Sequence, residues 1–255
     1  TPRVATVDEN TGEVKTLTKG TAIISAVLQR KNADGVWEDT VGYGSSVTLK
    51  VQNEFTVSNY TLTEYNGVGG DVVIPDDMNI WYIAKDAFKD NNNITSIVIP
   101  SSVIDIQEYA FRNCTALEEV YFVSKDHRVD ENGNIVNGDI DWAELSKIYE
   151  YAFTGCTNLK KIDLTNVKTI TVAHYAFAGC SKLEEVVEMP SIGTMHHGAF
   201  AGTALEKVDL TGLHMSGSGV FAGCTKITEV KTGKFTAIGE YMFDGCTGLT
   251  ALELS

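Results

Sequence analysis

The chain is short of positive charge. Against 34 Asp and Glu it carries 20 Lys and Arg, a formal balance of −14 over 255 residues. That deficit argues against nucleic acid, because affinity for a phosphate backbone comes from Lys and Arg displacing counterions, and it makes anionic membranes poor partners as well. Long apolar runs are also missing. The longest, such as 94–100, have the length of a strand, so no membrane insertion is expected of these residues. Nothing at the start reads as a signal peptide, and the chain opens at Thr1 without an initiator methionine, as expected of a processed or excised piece. No C-x-x-C spacing occurs, so a structural zinc site is not expected. Catalytic signatures are lacking too: there is no G-x-S-x-G, no H-E-x-x-H, no Gly-rich phosphate loop, and no Ser, His and acid grouping outside the repeat described next. The expectation is a protein that is not an enzyme and needs no cofactor. Its 43% apolar and 21% charged residues are the balance of a chain able to bury a core.

What the sequence has is a repeat. A small-Phe unit recurs as Ala-Phe at 87/88, 110/111, 152/153, 176/177 and 199/200, then as Val220-Phe221 and Met242-Phe243. Successive Phe are 23, 42, 24, 23, 21 and 22 residues apart, so one interval is about a repeat too long. Three residues after Phe stands Cys114, Cys156, Cys180, Cys224 or Cys246, with Asn91 and Thr203 in that place in the other two copies. An L-x-x-I-x-L pattern follows, as in Leu117/Val120/Phe122, Leu159/Ile162/Leu164 and Leu205/Val208/Leu210. Its last two positions are two apart and share a face, so stacked copies predict a parallel ladder with that face buried. A further apolar residue lies five before Phe (Ile83, Ile106, Ile148, Val172, Met195, Ile238), and only Ser216 breaks the rule.

Written as F-x-x-C-x-x-L-x-x-I-x-L-P followed by I-x-x-x-A-F, with VIPSSVIDIQEYAFRNCTALEEV at 98–120 the cleanest copy, the pattern resembles the BspA-like bacterial leucine-rich repeat family over roughly 61–255. The resemblance implies a right-handed leucine-rich-repeat solenoid with a parallel β-ladder over 81–255, about seven coils of 21–24 residues with an insertion at 123–148. It further implies an extracellular protein, at a bacterial cell surface or secreted, with adhesion to host matrix protein or mucin as its role. A structural spacer displaying other domains and a glycan-recognition module are the alternatives. The last copy stops at its strand, and since a solenoid end needs a polar cap, the native chain is expected to continue beyond Ser255.

Residues 1–56 lack the Phe-Cys pattern and read as short β-rich runs at 4–7, 13–17, 21–29 and 46–52. They resemble the second half of the bacterial group 2 immunoglobulin-like domain, which implies an incomplete β-sandwich. Residues 57–80 read as a linker with a hairpin or half-coil capping the first edge of the solenoid, from Asn66-Gly67, Gly69-Gly70 and the strand-like 72–74. Residues 1–60 hold 6 basic and 7 acidic side chains, leaving 14 and 27 for the rest, so the repeat part carries nearly all the negative charge.

Several residues invite a functional reading. All five cysteines occupy one repeat position, where a small semi-polar residue beside the Phe core suffices, and this favours free buried thiols. Bridges between consecutive coils, Cys156 to Cys180 or Cys224 to Cys246, are the alternative. His174 and His197 each precede a Phe by three on consecutive coils, and such a pair could hold zinc or nickel. The same column elsewhere reads Lys85, Glu108, Glu150, Ser218 and Glu240, which favours a solvated turn. In the insertion, Asp130, Asn132, Asn134, Asp139 and Asp141 have the residue types of a calcium loop. The motif fails, however, with Ile135 where Gly is required and Asp141 where a bidentate Glu is. A hairpin turning at Asn132-Gly133 explains the same residues. On the outward face of the ladder, Glu119, Lys161, Glu185, Lys207 and Glu229 alternate in sign through successive coils, as expected of a self-neutralising column. The neighbouring column contains Tyr121, Asp163, Val187, Asp209 and Lys231. With His127 and Trp142 of the insertion these are the expected partner-binding residues, because loops and aromatic side chains on a rigid scaffold carry most binding.

Overall fold

The computed structural model describes residues 5–7, 14–16, 20–31, 37–51, 54–123, 128–129, 135–136, 144–165, 167–233 and 238–250. The chain divides into two compact units, Thr1–Glu54 and Phe55–Ser255. In the first, Ala5–Val7 pairs antiparallel with Val14–Thr16, and Gly20–Lys31 pairs antiparallel with Trp37–Val51. The described residues of this unit are thus two hairpins.

The second unit is a parallel solenoid, and its coil is set by one turn. The residue two before each repeat Phe is left-handed in every copy, at Asp86, Tyr109, Tyr151, Tyr175, Gly198, Gly219 and Tyr241, and so is the residue two after, at Asp90, Asn113, Gly155, Gly179, Gly202, Gly223 and Gly245. Two left-handed residues flanking a buried Phe reverse the chain within a few residues. After the Phe this position is filled by the residue types that adopt positive φ at least cost, Gly, Asn and Asp.

Each coil contributes a strand to either side of that turn. Before it, Thr61–Tyr65, Tyr82–Ile83, Asp105–Ile106, Lys147–Ile148, Ile170–Val172, Ile192–Met195 and Met215–Ser216 follow one another in an eight-stranded sheet, whose edge strand Phe55–Ser58 is antiparallel to the first of them. After it, Gly70–Val73, Ile94–Pro100, Glu119–Val123, Lys161–Asp163 and Glu185–Val187 form a five-stranded parallel sheet, while Lys207–Asp209 and Glu229–Lys231 form a separate pair. Between the sheets the rings stack in a column, with Phe88 on Phe111 at 4.6 Å, Phe111 on Phe153 at 4.8 Å, Phe153 on Phe177 at 5.0 Å and Phe177 on Phe200 at 5.1 Å. The apolar residues five before Phe are buried in the copies from Ile83 to Met195, but Ile238, expected in the core, is 38% exposed on the last described coil.

The long interval adds no coil. Phe111 stacks directly on Phe153, and Glu119–Val123 pairs directly with Lys161–Asp163, so the coils before and after the insertion are immediate neighbours. Within it, Arg128–Val129 pairs antiparallel with Ile135–Val136, the hairpin expected there. At the other end the segment 61–80 makes a coil of its own. Thr61–Tyr65 pairs with Tyr82–Ile83, Gly70–Val73 pairs with Ile94–Pro100, and Tyr65 extends the ring column at 5.3 Å from Phe88.

All five cysteines are free and buried. Each thiol donates to the carbonyl of the Phe on the preceding coil: Cys114 to Phe88 and Cys156 to Phe111 at 3.0 Å, Cys180 to Phe153, Cys224 to Phe200 and Cys246 to Phe221 at 3.1 Å. The cysteine column is therefore a line of coil-to-coil hydrogen bonds.

Candidate functional site

The outward face of the Leu-side ladder is built by strand alternation: Val120, Ile162 and Val208 point in and are buried, so Glu119 and Tyr121, Lys161 and Asp163, and Lys207 and Asp209 point out. Glu119, Lys161 and Glu185 are in register, as are Tyr121, Asp163 and Val187. The expected column of neutralising pairs is realised in part. Lys207 binds Glu229 at 2.9 Å and Lys231 binds Asp209 at 2.8 Å. Lys161 instead turns along its own strand to Asp163 at 3.6 Å and lies 5.9 Å from the Tyr121 ring. The Tyr121 hydroxyl donates to the Glu119 carboxylate, and partial burial together with that carboxylate raises its pKa to about 12.

The column of alternating signs does not run without a break. Glu185–Val187 ends its sheet, Lys207–Asp209 begins the next pair, and among the described residues no pairing joins them. A cleft of ≈ 600 Å³ opens there, lined among others by Glu185, Val186, Glu188, Glu206, Lys207 and Asp209. Two departures from the repeat coincide there, and the first is a single residue. Where other coils place an apolar side chain at the end of the pattern (Ile99, Phe122, Leu164, Leu210), this coil has Glu188, left-handed at φ 56°, followed by a 3₁₀ turn Met189–Ser191. Burying a carboxylate would be costly, so Glu188 stays outside and Met189, 4% exposed, enters the core in its stead. The strand is diverted and its next neighbour is left unpaired. On the opposite side of the coil the sheet continues across this level, Ile192–Met195 pairing with Met215–Ser216, and a register shift between Ile170 and Thr171 marks the level before it. The cleft has two marks in the sequence: the carboxylate at an apolar position, and a turn one residue short in the next copy, where Leu205 follows Phe200 by five residues instead of six.

Of the expected partner-binding residues, the structure brings Tyr121, Asp163 and Val187 onto one face and places Asp209 and Lys231 beyond the break. His127 and Trp142 lie outside the described residues, as do the calcium-loop candidates Asp130, Asn132, Asn134, Asp139 and Asp141. His174 meets His196, not His197, with ring centroids 4.9 Å apart. His197 stands edge-on to Tyr175 at 5.0 Å, and its Nδ1 is 2.5 Å from the Ser218 hydroxyl. Burial and the neighbouring His174 lower the pKa of His196. Among the described residues no group of three or more His, Cys, Asp or Glu is arranged to hold a metal ion.

A second surface feature went unread in the sequence. Tyr109, Tyr151 and Tyr175, all left-handed, stack on one another at 5.3 Å, and Tyr109 is flanked by Lys85 at 5.3 Å and Arg112 at 5.5 Å. Their faces are covered by each other. Tyr60 and Trp81, 53% and 42% exposed, stack at 4.4 Å on the first coils.

The BspA type leucine rich repeat region matches residues 81–171 and 146–255, in six copies. A solved T. pallidum leucine rich repeat protein superposes with a TM-score of 0.60 at 25% identity, covering 76% of this chain and 86% of that one. The pneumococcal vaccine antigen PcpA is similar at 23% identity and a TM-score of 0.48, covering 72% of this chain and 49% of that one. A leucine-rich repeat protein from Eubacterium ventriosum is 26% identical with a TM-score of 0.41, over 71% and 47% of the two chains. No curated protein matches.

Proposed function

From the premise that the chain belongs to the BspA-type leucine-rich repeat family, we propose that it is a non-enzymatic binding protein of a bacterial cell surface or secreted, adhering to a host matrix protein or mucin. The observation that carries this reading is the outward face of the parallel ladder, a rigid array presenting Glu119, Tyr121, Lys161 and Asp163, with the insertion following Glu119–Val123 in the chain. Tyr121 is the aromatic anchor of the face, of the type enriched where binding energy concentrates. In the same reading the N-terminal unit is the immunoglobulin-like sandwich that its strand runs suggest. Titrating the chain onto immobilised matrix proteins and mucin at physiological salt tests it. Saturable binding that is weakened by Tyr121→Ala or by deletion of 123–148 is expected. Absence of saturable binding to every such surface would overturn it and leave the solenoid a spacer.

One observation favours glycan recognition as a second reading. The exposed pair Tyr60 and Trp81 offers an aromatic platform, whereas Tyr109, Tyr151 and Tyr175 are half-buried and stack on one another. Trp81→Ala abolishing capture on a glycan array would establish it.

A further inference from the structure

We infer that the break in the ladder is a receptor for an extended, basic peptide segment of the protein partner, which enters between Glu185–Val187 and Lys207–Asp209 as an added strand. This deepens the adhesion reading and rests on it for the partner's being a protein.

The backbone supports it first. Glu185 donates its N–H to the Lys160 carbonyl and Val187 accepts from Leu164, both at 3.2 Å, so residues 185 and 187 face the preceding coil. By strand alternation the amide and carbonyl of Val186 face the cleft. On the other wall Glu206 accepts from Glu229 at 3.3 Å and Leu210 donates to Lys231 at 2.8 Å, which commits residues 206, 208 and 210 to the following coil. The amides and carbonyls of Lys207 and Asp209 therefore face the cleft from its far side. An unbroken ladder would link Lys207 N–H to the Glu184 carbonyl and Asp209 N–H to that of Val186; neither link is made, because the two strands are not paired. Two parallel edges with unused donors and acceptors, facing each other across a cleft of ≈ 600 Å³, are a template for one more strand. Val186 is half-buried where its counterparts Val120, Ile162 and Val208 are fully buried, so the floor of the cleft is apolar and open to a side chain of the incoming strand.

Charge selects the occupant. Of the lysines on the walls, Lys207 is held by Glu229 and Lys231 by Asp209, while Lys226 holds Glu184. No salt bridge among the described residues engages Glu185, Glu188 or Glu206, all exposed at the cleft. Three carboxylates without such a partner around a row of free backbone groups complement a strand with Lys or Arg on its outward positions and an apolar residue on the inward ones.

The test uses the whole chain and a fluorescent heptapeptide of alternating Lys and Val, read by anisotropy at physiological salt. Saturable binding is expected. A copy N-methylated at alternate amides should bind at least about tenfold more weakly, a Glu/Val heptapeptide should not bind, and Glu185→Lys with Glu206→Lys should also lose about tenfold or more, against no change for Glu64→Lys. Val186→Pro removes a cleft-facing amide without breaking a ladder bond; if that variant fails to fold, the N-methylated peptide makes the same test from the ligand side. No binding, equal binding of the N-methylated copy, or indifference to the charge reversal would overturn the inference. Matrix-protein binding that is lost in Tyr121→Ala and intact in the charge-reversed variant would refute the cleft and keep the adhesion reading. Peptide binding by a chain that captures no matrix protein or mucin would do the reverse.

Discussion

At the scale of single residues the repeat is a set of identical environments, each occupied by the side chain that suits it. The Phe column is the largest of them. Phe177→Ala removes a ring stacked on both sides, and by the cost of emptying a core site it should destabilise the chain by about 3–5 kcal/mol in urea unfolding; an unchanged midpoint would break the repeat alignment. The thiols illustrate a second environment. Burial raises the pKa of Cys246 to about 11 and that of Cys156 well above the ordinary thiol value, so both remain protonated donors at neutral pH. A thiol reagent should label none of the five rapidly in the native chain, with Cys246, the most exposed at 8%, reacting first as urea rises. His196 gives a pH dependence of defined sign. Its pKa is lowered in the folded chain, so the neutral form is favoured there; the stability this contributes is present above the unfolded value near 6.5 and is lost as pH falls through the lowered one. Urea midpoints should therefore fall from neutral pH into the acid range less steeply in His196→Asn than in the parent.

At the scale of the element, the alternating charges along the ladder solvate a flat sheet face and contribute little to its stability. Lys207 and Glu229 are 75% and 61% exposed at the side chain, where water and salt screen the pair. A double-mutant cycle between them should show a small coupling that vanishes in molar salt; a coupling that survives would mean the pair is shielded by something bound over it. Register is set by the inward residues. A shift by one would expose Val120 and Ile162 and bury Tyr121 and Asp163, so the buried face determines which charges meet and the charges themselves do not. The diverted strand at Glu188 shows the same rule in reverse: a carboxylate at an inward position is turned out of the core, while the outward charges of the paired strands leave the ladder in register.

At the scale of the molecule, the chain divides into two compact units at Glu54 and Phe55, and one continuous core runs through the described residues of the second. A chain beginning at Phe55 should accordingly keep a single cooperative thermal transition at the midpoint of the full protein's solenoid; loss of that transition would show that the first unit is required for the second to fold. Much of this architecture was legible beforehand. The ring column, the cysteine column and the inward faces of the strands follow from position in the period, because each coil of a solenoid meets only copies of itself and equal positions receive equal surroundings, while the hairpin of the insertion follows from its Asn132-Gly133 signal. The hairpin or half-coil expected at 57–80 turns out to pair on both sides as a coil. The left-handed tyrosines and the pairing of His174 with His196 were not legible, since each depends on a backbone turn or a stacking partner that no spacing encodes. Nor was the break in the ladder. The signs of Glu185 and Lys207 continue the alternation as smoothly as those of Lys161 and Glu185, and only the folded chain shows that the first two are unpaired while the second two are in register. Sequence by itself determined which side chains are inside, because burial is dictated by a repeated local pattern; tertiary structure alone decided where the sheet opens, because that depends on whether a misplaced carboxylate and a turn one residue short are absorbed by the strands or displace them.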